Sequence, residues 1–170
     1  MHDEAMMDVI ERIRSRFYGK YRGSVTDVDT GQPGRIKAKV PAVLGDVETG
    51  WCMPCVPYAG PDAGLAFLPE VGSGVWIEFE GGDVSYPIWT GCYWRSGEVP
   101  ARVAEKVKVI KTHGGQQIVL DDDERSVTVS DACGNSVTLD RTGIVIVRGS
   151  GKIAVTDGTV NVNDGAMEVT

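Results

Sequence analysis

The second half of the chain alternates: two apolar residues flank one mostly polar residue, and a turn follows. Val107 and Val109, Ile118 and Leu120, Val127 and Val129, Val137 and Leu139, Ile144 and Ile146, Ile153 and Val155, Val160 and Val162, and Met167 and Val169 form these runs. A side-chain period of two puts each pair on one face of a short strand. Turn clusters close the runs, among them His113-Gly-Gly, Asp131-Ala-Cys-Gly-Asn, Arg141-Thr-Gly, Gly149-Ser-Gly and Asp157-Gly. Gly115–Asp121 and Gly134–Asp140 repeat one another, so the region is an array of like units.

Such strands hide too little to stand alone. Each offers two or three aliphatic side chains, worth about 1.5–3 kcal/mol apiece when fully buried. Ordering the backbone costs about 1–2 kcal/mol per residue. No Phe, Tyr or Trp follows Trp94, so aromatic area cannot make up the difference. A second apolar surface has to cover the first. A single-chain β-helix, a sandwich against the upstream half and a bundle of three identical chains each meet that demand. A three-sided coil takes about 20 residues, which leaves room for few coils. The upstream half shows no complementary repeat. The reading adopted is the third, with each chain giving one strand in turn around a narrow shared axis. On that reading Val127, Val129, Val137, Leu139, Ile144, Ile146, Ile153, Val155, Val160 and Val162 are the trimer core.

Upstream the period changes. Met6, Val9, Ile10, Ile13 and Phe17 recur at helical spacing, which predicts an amphipathic helix over residues 5–17. From Tyr18 to Trp94, Tyr21–Val28, Arg35–Val40, Gly50–Val56, Gly74–Glu80 and Tyr86–Tyr93 read as strands parted by Gly/Pro-rich breakers. Five short strands, in a stretch that holds all the tryptophans, predict a small closed barrel of OB type. The division is therefore 1–17 helix, 18–96 barrel and 97–170 β-repeat shaft.

Charge removes some functions. The chain of 170 residues has a formal net charge of −7, which repels phosphate backbones and anionic membrane surfaces. No nucleic-acid partner is expected. No apolar run approaches the roughly 18 residues of a membrane span. The Met-His-Asp-Glu start is acidic where a secretory signal is basic and then apolar, which predicts folding in a cytoplasm. Against this acidic background Arg12, Arg14, Arg16, Lys20 and Arg22 form a basic cluster. Arg12, Arg14 and Arg16, with Phe17, are the candidate contact with a neighbouring subunit.

The candidate chemistry is thin. Trp51-Cys-Met-Pro-Cys55 reads like a thiol-disulfide oxidoreductase motif. That chemistry needs its first cysteine at a helix N-terminus, and Pro57, Gly60 and Pro61 forbid a helix after Cys55. Alternation predicts one buried thiol and one on the opposite face. A zinc site would need two more ligands converging on Cys52 and Cys55 from Cys92, His113 or another chain. Asp121, Asp122, Asp123 and Glu124 lack the ligand spacing of a calcium loop and read as a solvated turn. No serine has a plausible base nearby in sequence. No catalytic residue, metal or cofactor is expected.

Gly50-Trp-Cys-Met-Pro-Cys-Val-Pro-Tyr-Ala-Gly60, Phe67-Leu-Pro-Glu-Val-Gly72, Val75-Trp-Ile-Glu-Phe-Glu-Gly-Gly-Asp83 and Pro87-Ile-Trp-Thr-Gly91, in that order, resemble the OB-fold domain of phage baseplate assembly protein V. That family includes central spikes of contractile tails and the valine-glycine-repeat spikes of type VI secretion. The resemblance covers residues 18–94 and implies a trimeric triple-stranded β-helix behind the barrel. It also implies a baseplate hub partner. The chain departs from some relatives in having no lysozyme-like insertion and no His-x-His pair near the C-terminus. Ending on the repeat at Thr170 suggests a blunt end for a separate tip protein.

The expectation is thus an all-β protein: an OB-fold barrel followed by an intertwined trimeric triple-stranded β-helix, with a short N-terminal helix. Its role would be that of a virion tail spike, assembled in a host cytoplasm and touching membrane transiently as it punctures. The rival readings are an OB-fold ligand-binding module and an oxidoreductase acting through Cys52 and Cys55.

Overall fold

The computed structural model describes residues 2–32 and 34–169. The chain divides into two compact units, Met1–Glu98 and Val99–Thr170.

The first unit begins with helix α1, His2–Arg14, and continues through β1, Tyr21–Val28, and β2, Ile36–Lys39. A single helical turn α2, Pro41–Leu44, starts on a proline and is stopped by Gly45 at φ +59°. Strands β3, Met53–Pro54, β4, Ala59–Gly60, β5, Ala63–Gly64, β6, Gly74–Phe79, and β7, Pro87–Tyr93, complete the unit. The main sheet runs β2-β1-β6-β7-β3, with β3 parallel to β7 and the rest antiparallel.

Its two ends meet. Ile36 of β2 and Cys52, just before β3, exchange backbone hydrogen bonds, Cys52 N–H to Ile36 O at 2.7 Å and Ile36 N–H to Cys52 O at 3.4 Å. Two register breaks, between Val25 and Asp27 and between Val75 and Ile77, supply the bends that such closure needs. The sheet is therefore a small closed barrel, as the sequence predicts. Inside it Val25, Ile36, Ala38, Val40, Cys52, Val75 and Ile77 are at most 2% exposed, and Phe79 and Trp89 join them. The Trp89 indole N–H is satisfied by the Gly34 carbonyl at 2.8 Å. Gly74 has to be glycine, since a Cβ there would sit 2.8 Å from the Tyr93 ring and carbonyl.

The strand expected over Gly50–Val56 is reduced to Met53–Pro54, because Pro54 donates no ladder hydrogen bond and Cys52 turns instead to β2. The β4–β5 hairpin and α2 are additions to the sequence reading.

The second unit is one eight-stranded antiparallel meander. Its strands are β8, Val107–Lys111, β9, Gln117–Asp121, β10, Ser126–Ser130, β11, Asn135–Asp140, β12, Gly143–Arg148, β13, Gly151–Val155, β14, Val160–Val162, and β15, Met167–Val169. Each strand pairs with its sequence neighbours, and every ladder in the sheet is made by one chain with itself. The all-β class holds. Within the protomer the ladders join strands adjacent in sequence. The reason is local: Arg141-Thr142 and Gly149-Ser150 are two-residue hairpin loops that return the chain at once to its own preceding strand. Gly143 lies at φ +142°, and its backbone passes so close to the Val155 carbonyl that no Cβ fits.

Candidate functional site: the apolar face of the C-terminal sheet

Register decides which side chains share a face. Val127 pairs with Leu120 and Leu139, Leu139 with Ile144, Ile144 with Val155, Val155 with Val160, and Val160 with Val169. A second column links Ile110, Ile118, Val129, Val137, Ile146, Ile153, Val162 and Met167. The ten residues read from sequence as a trimer core all fall in these two columns, on one face. Sequence reasoning left out Ile118, Leu120, Met167 and Val169, although the same alternation marks them; in β8 it picked Val107 and Val109, whereas the register puts Lys108 and Ile110 on this face. Lys108, opposite Leu120, is the one charged residue in the columns among the described residues.

Among the described residues of the second unit nothing covers this face. Val127, Val129, Leu139, Ile144, Ile146, Ile153 and Val160 are 37–45% exposed, and Val137, Val155 and Val162 are half-buried. On the other face Val109, Val119, Thr128, Thr138, Val145, Ala154 and Asn161 form a mixed row. There Val119 is buried and the Thr128 and Thr138 hydroxyls lie 3.4 Å apart. An uncovered strip of this length is the mark of an interaction surface. It is two side chains wide, about 7 Å between same-face neighbours on a strand, and about 34 Å long over eight strands at about 4.8 Å spacing.

The other candidates land elsewhere. Cys52 is fully buried, its thiol 3.2 Å from the Thr49 hydroxyl, whereas Cys55 is exposed. The two thiols part as the alternation predicts. Burial pushes the Cys52 thiol up from its ordinary value, the opposite of what an attacking thiolate requires. The Cys92 thiol, although exposed, is also pushed up by the partial desolvation of its surroundings. Among the described residues no group of three or more His, Cys, Asp or Glu is placed to hold a metal. The Asp121–Glu124 segment is a turn in which Asp121 accepts the Glu124 N–H and Asp123 pairs with Lys106 at 2.8 Å.

The basic N-terminal residues separate. Phe17 packs edge-on against Tyr21 and Phe79, and its N–H donates to the Gly82 carbonyl at 2.8 Å. Arg16 pairs with Asp83 at 2.9 Å. Both residues thus fasten the segment after α1 to its own barrel. Arg14 is exposed, and the Arg12 side chain lies outside the described residues. On the helix, Met6, Met7, Val9 and Ile13 are exposed.

Two matches to known families follow this division of the chain. Residues 21–94 match the type VI secretion system/phage-baseplate injector OB domain. Residues 107–168 match the phage baseplate V C-terminal trimerisation domain. No curated protein matches the chain. The second match spans the sheet whose apolar face is open. The chain belongs to the phage baseplate V family, whose domains serve a structural, spike-type role in tail-associated baseplates and type VI injectors.

Proposed function

We propose that this chain is the subunit of a homotrimeric central spike in a contractile tail or related injection machine. The two-column apolar face of the second unit carries the reading. Three copies meet with these faces turned to a common axis and the strands lying across it. Each layer of the shaft then holds six inward side chains, two from each protomer. That is a narrow core that small aliphatic residues fill without aromatic ones. Val127, Val129, Val137, Leu139, Ile144, Ile146, Ile153, Val155, Val160 and Val162 are its centre.

The function follows from that orientation. Inter-strand hydrogen bonds run perpendicular to strands, so strands laid across an axis direct their bonds along it. A push along the shaft is shared among many ladders at once. The barrel serves as the collar that meets the baseplate hub, with Arg14 toward that partner and Arg16 and Phe17 holding the segment in place. The far end, at β15, receives a separate tip protein, and membrane contact is transient, during puncture. Assembly takes place in the host cytoplasm. The role is mechanical, with no catalysis.

Light scattering on the purified chain tests the core of this reading: three subunit masses are expected, and a stable single-subunit mass would overturn it. In intact particles, a cryo-EM map without density beyond Thr170 would remove the tip partner.

A further inference from the structure

The two long sides of the C-terminal sheet differ in charge. One side is made by the ends of the β9–β10, β11–β12 and β13–β14 hairpins. It carries Asp121, Asp122, Asp123, Glu124, Asp140 and Asp157, against Lys106, Arg125 and Arg141. The opposite side is made by the β8–β9, β10–β11, β12–β13 and β14–β15 turns. It carries Lys111, Arg148 and Lys152, with His113, against Asp131 and Asp164. One flank is acidic and the other slightly basic.

Some of these charges are used at home. Lys106 pairs with Asp123, Lys152 with Asp164, and Arg148 with the Asn135 side chain, which itself bonds Asp131. Among the described residues, Lys111 and His113 on the basic flank have no ion-pair partner, nor have Asp122, Glu124 and Asp157 on the acidic flank. All five are exposed. On the acidic flank Arg125 and Arg141 are also without an ion pair among the described residues, but Asp121, Asp122, Glu124, Asp140 and Asp157 outnumber them, whereas on the other flank Lys111 and Arg148 outnumber Asp131, so the balance of unspent charge is of opposite sign on the two flanks.

We propose that these flanks are the seams of the trimer, the acidic flank of each protomer lying along the basic flank of the next. The proposal rests on the trimer reading above and adds what it leaves open, namely which surface of one copy meets which surface of the next. Threefold rotation about an axis always sets the left side of one sheet beside the right side of its neighbour, and the contact closes after three. Rotation moves nothing along the axis. The β8–β9 turn, with Lys111 and His113, thus lies within about one strand spacing, roughly 4.8 Å, of the height of the neighbour's Asp122–Glu124 turn. Lys152 and Arg148 lie near the level of the neighbour's Asp157. Like charges would meet if the sheets were inverted, so the seam also selects a parallel bundle.

Charge reversal at one seam tests this. Lys111→Glu and Glu124→Lys are each made alone and then together in the full chain. Trimer dissociation is followed by sedimentation at low salt and at about 1 M salt, where the Debye length falls to about 3 Å. Each single reversal is expected to weaken the low-salt trimer by roughly ten- to a hundred-fold, from three exposed pairs at about two- to five-fold apiece. High salt should shrink the loss, and the double reversal should restore most of it. If the wild-type chain is trimeric but the single losses simply add in the double variant, or neither single reversal matters, the seam assignment is overturned and the trimer stands. A wild-type chain that sediments as one subunit removes the trimer reading itself.

Discussion

The two units of this protein solve the same problem of burial in opposite ways. The barrel closes on itself and encloses seven side chains at no more than 2% exposure, and aromatic residues fill its margins. The C-terminal sheet has eight strands yet, among the described residues, fully buries one hydrophobic side chain, Val119. The contrast is not one of strand quality, since the sheet's ladders are the more regular. It lies in closure: joining Ile36 to Cys52 turns a curved sheet into its own second layer, whereas a meander of short hairpins keeps two faces and needs company for one of them.

That contrast can be broken most decisively at its open face. Ile146→Asp would place three carboxylates around one axis, each costing several kcal/mol to bury unpaired. Light scattering should show loss of the trimer, and limited proteolysis should leave the N-terminal unit intact while the C-terminal one is cut. A stable Ile146→Asp trimer would show that this face does not line the axis. The converse change, Ile77→Ala, is expected to cost about 2–5 kcal/mol in the barrel's melting transition while leaving the subunit number unchanged. Gly143→Ala puts a Cβ where φ is +142° and the Val155 carbonyl already sits. It should cost roughly 1–3 kcal/mol in the sheet's transition alone, read by differential scanning calorimetry.

Smaller effects sharpen the comparison. Asp131 is held below the usual carboxylate range by the Asn135 side-chain amide and backbone N–H, and Asp140 by the Thr142 hydroxyl and N–H. In the barrel Asp29 is lowered first by the Gln32 N–H and then by Arg35. Each group binds protons more readily unfolded than folded, so its contribution is present above the ordinary value of 3.8 and fades as pH falls through the depressed one. Both units should therefore lose melting temperature below about pH 4, where unfolded aspartates take up protons. Replacing Asp131 with Asn should flatten that loss for the sheet only. The least disruptive test is alkylation at pH 8: Cys55 should react first, Cys92 more slowly, and Cys52 not until the barrel unfolds.

Much of this was legible in the sequence for a physical reason. Period-two alternation survives into the structure wherever one face is apolar, so β1, β6, β7 and the runs from Ile118 to Val169 are where the pattern puts them, while in β8 the register turns Val107 and Val109 to the opposite face. The alternation also sorted Cys52 from Cys55. What it could not carry was partnership. The Arg141-Thr142 and Gly149-Ser150 loops pair each strand with its sequence neighbour, a register that alternation alone does not specify. Arg16 and Phe17 were read as outward contacts, since nothing local announces that Asp83 and Phe79, more than sixty residues later, will meet them. The short β3 escaped for a similar reason: its partners are set by barrel closure.

Hairpin connectivity has a consequence for how such a shaft comes into being. Each ladder joins strands adjacent in sequence, so contacts are local and each sheet can form as the copies meet. No chain has to be wound around its companions. Since one uncovered sheet buries little of itself, parting the copies also undoes it, and differently labelled trimers, once mixed, should trade subunits only as fast as that sheet opens.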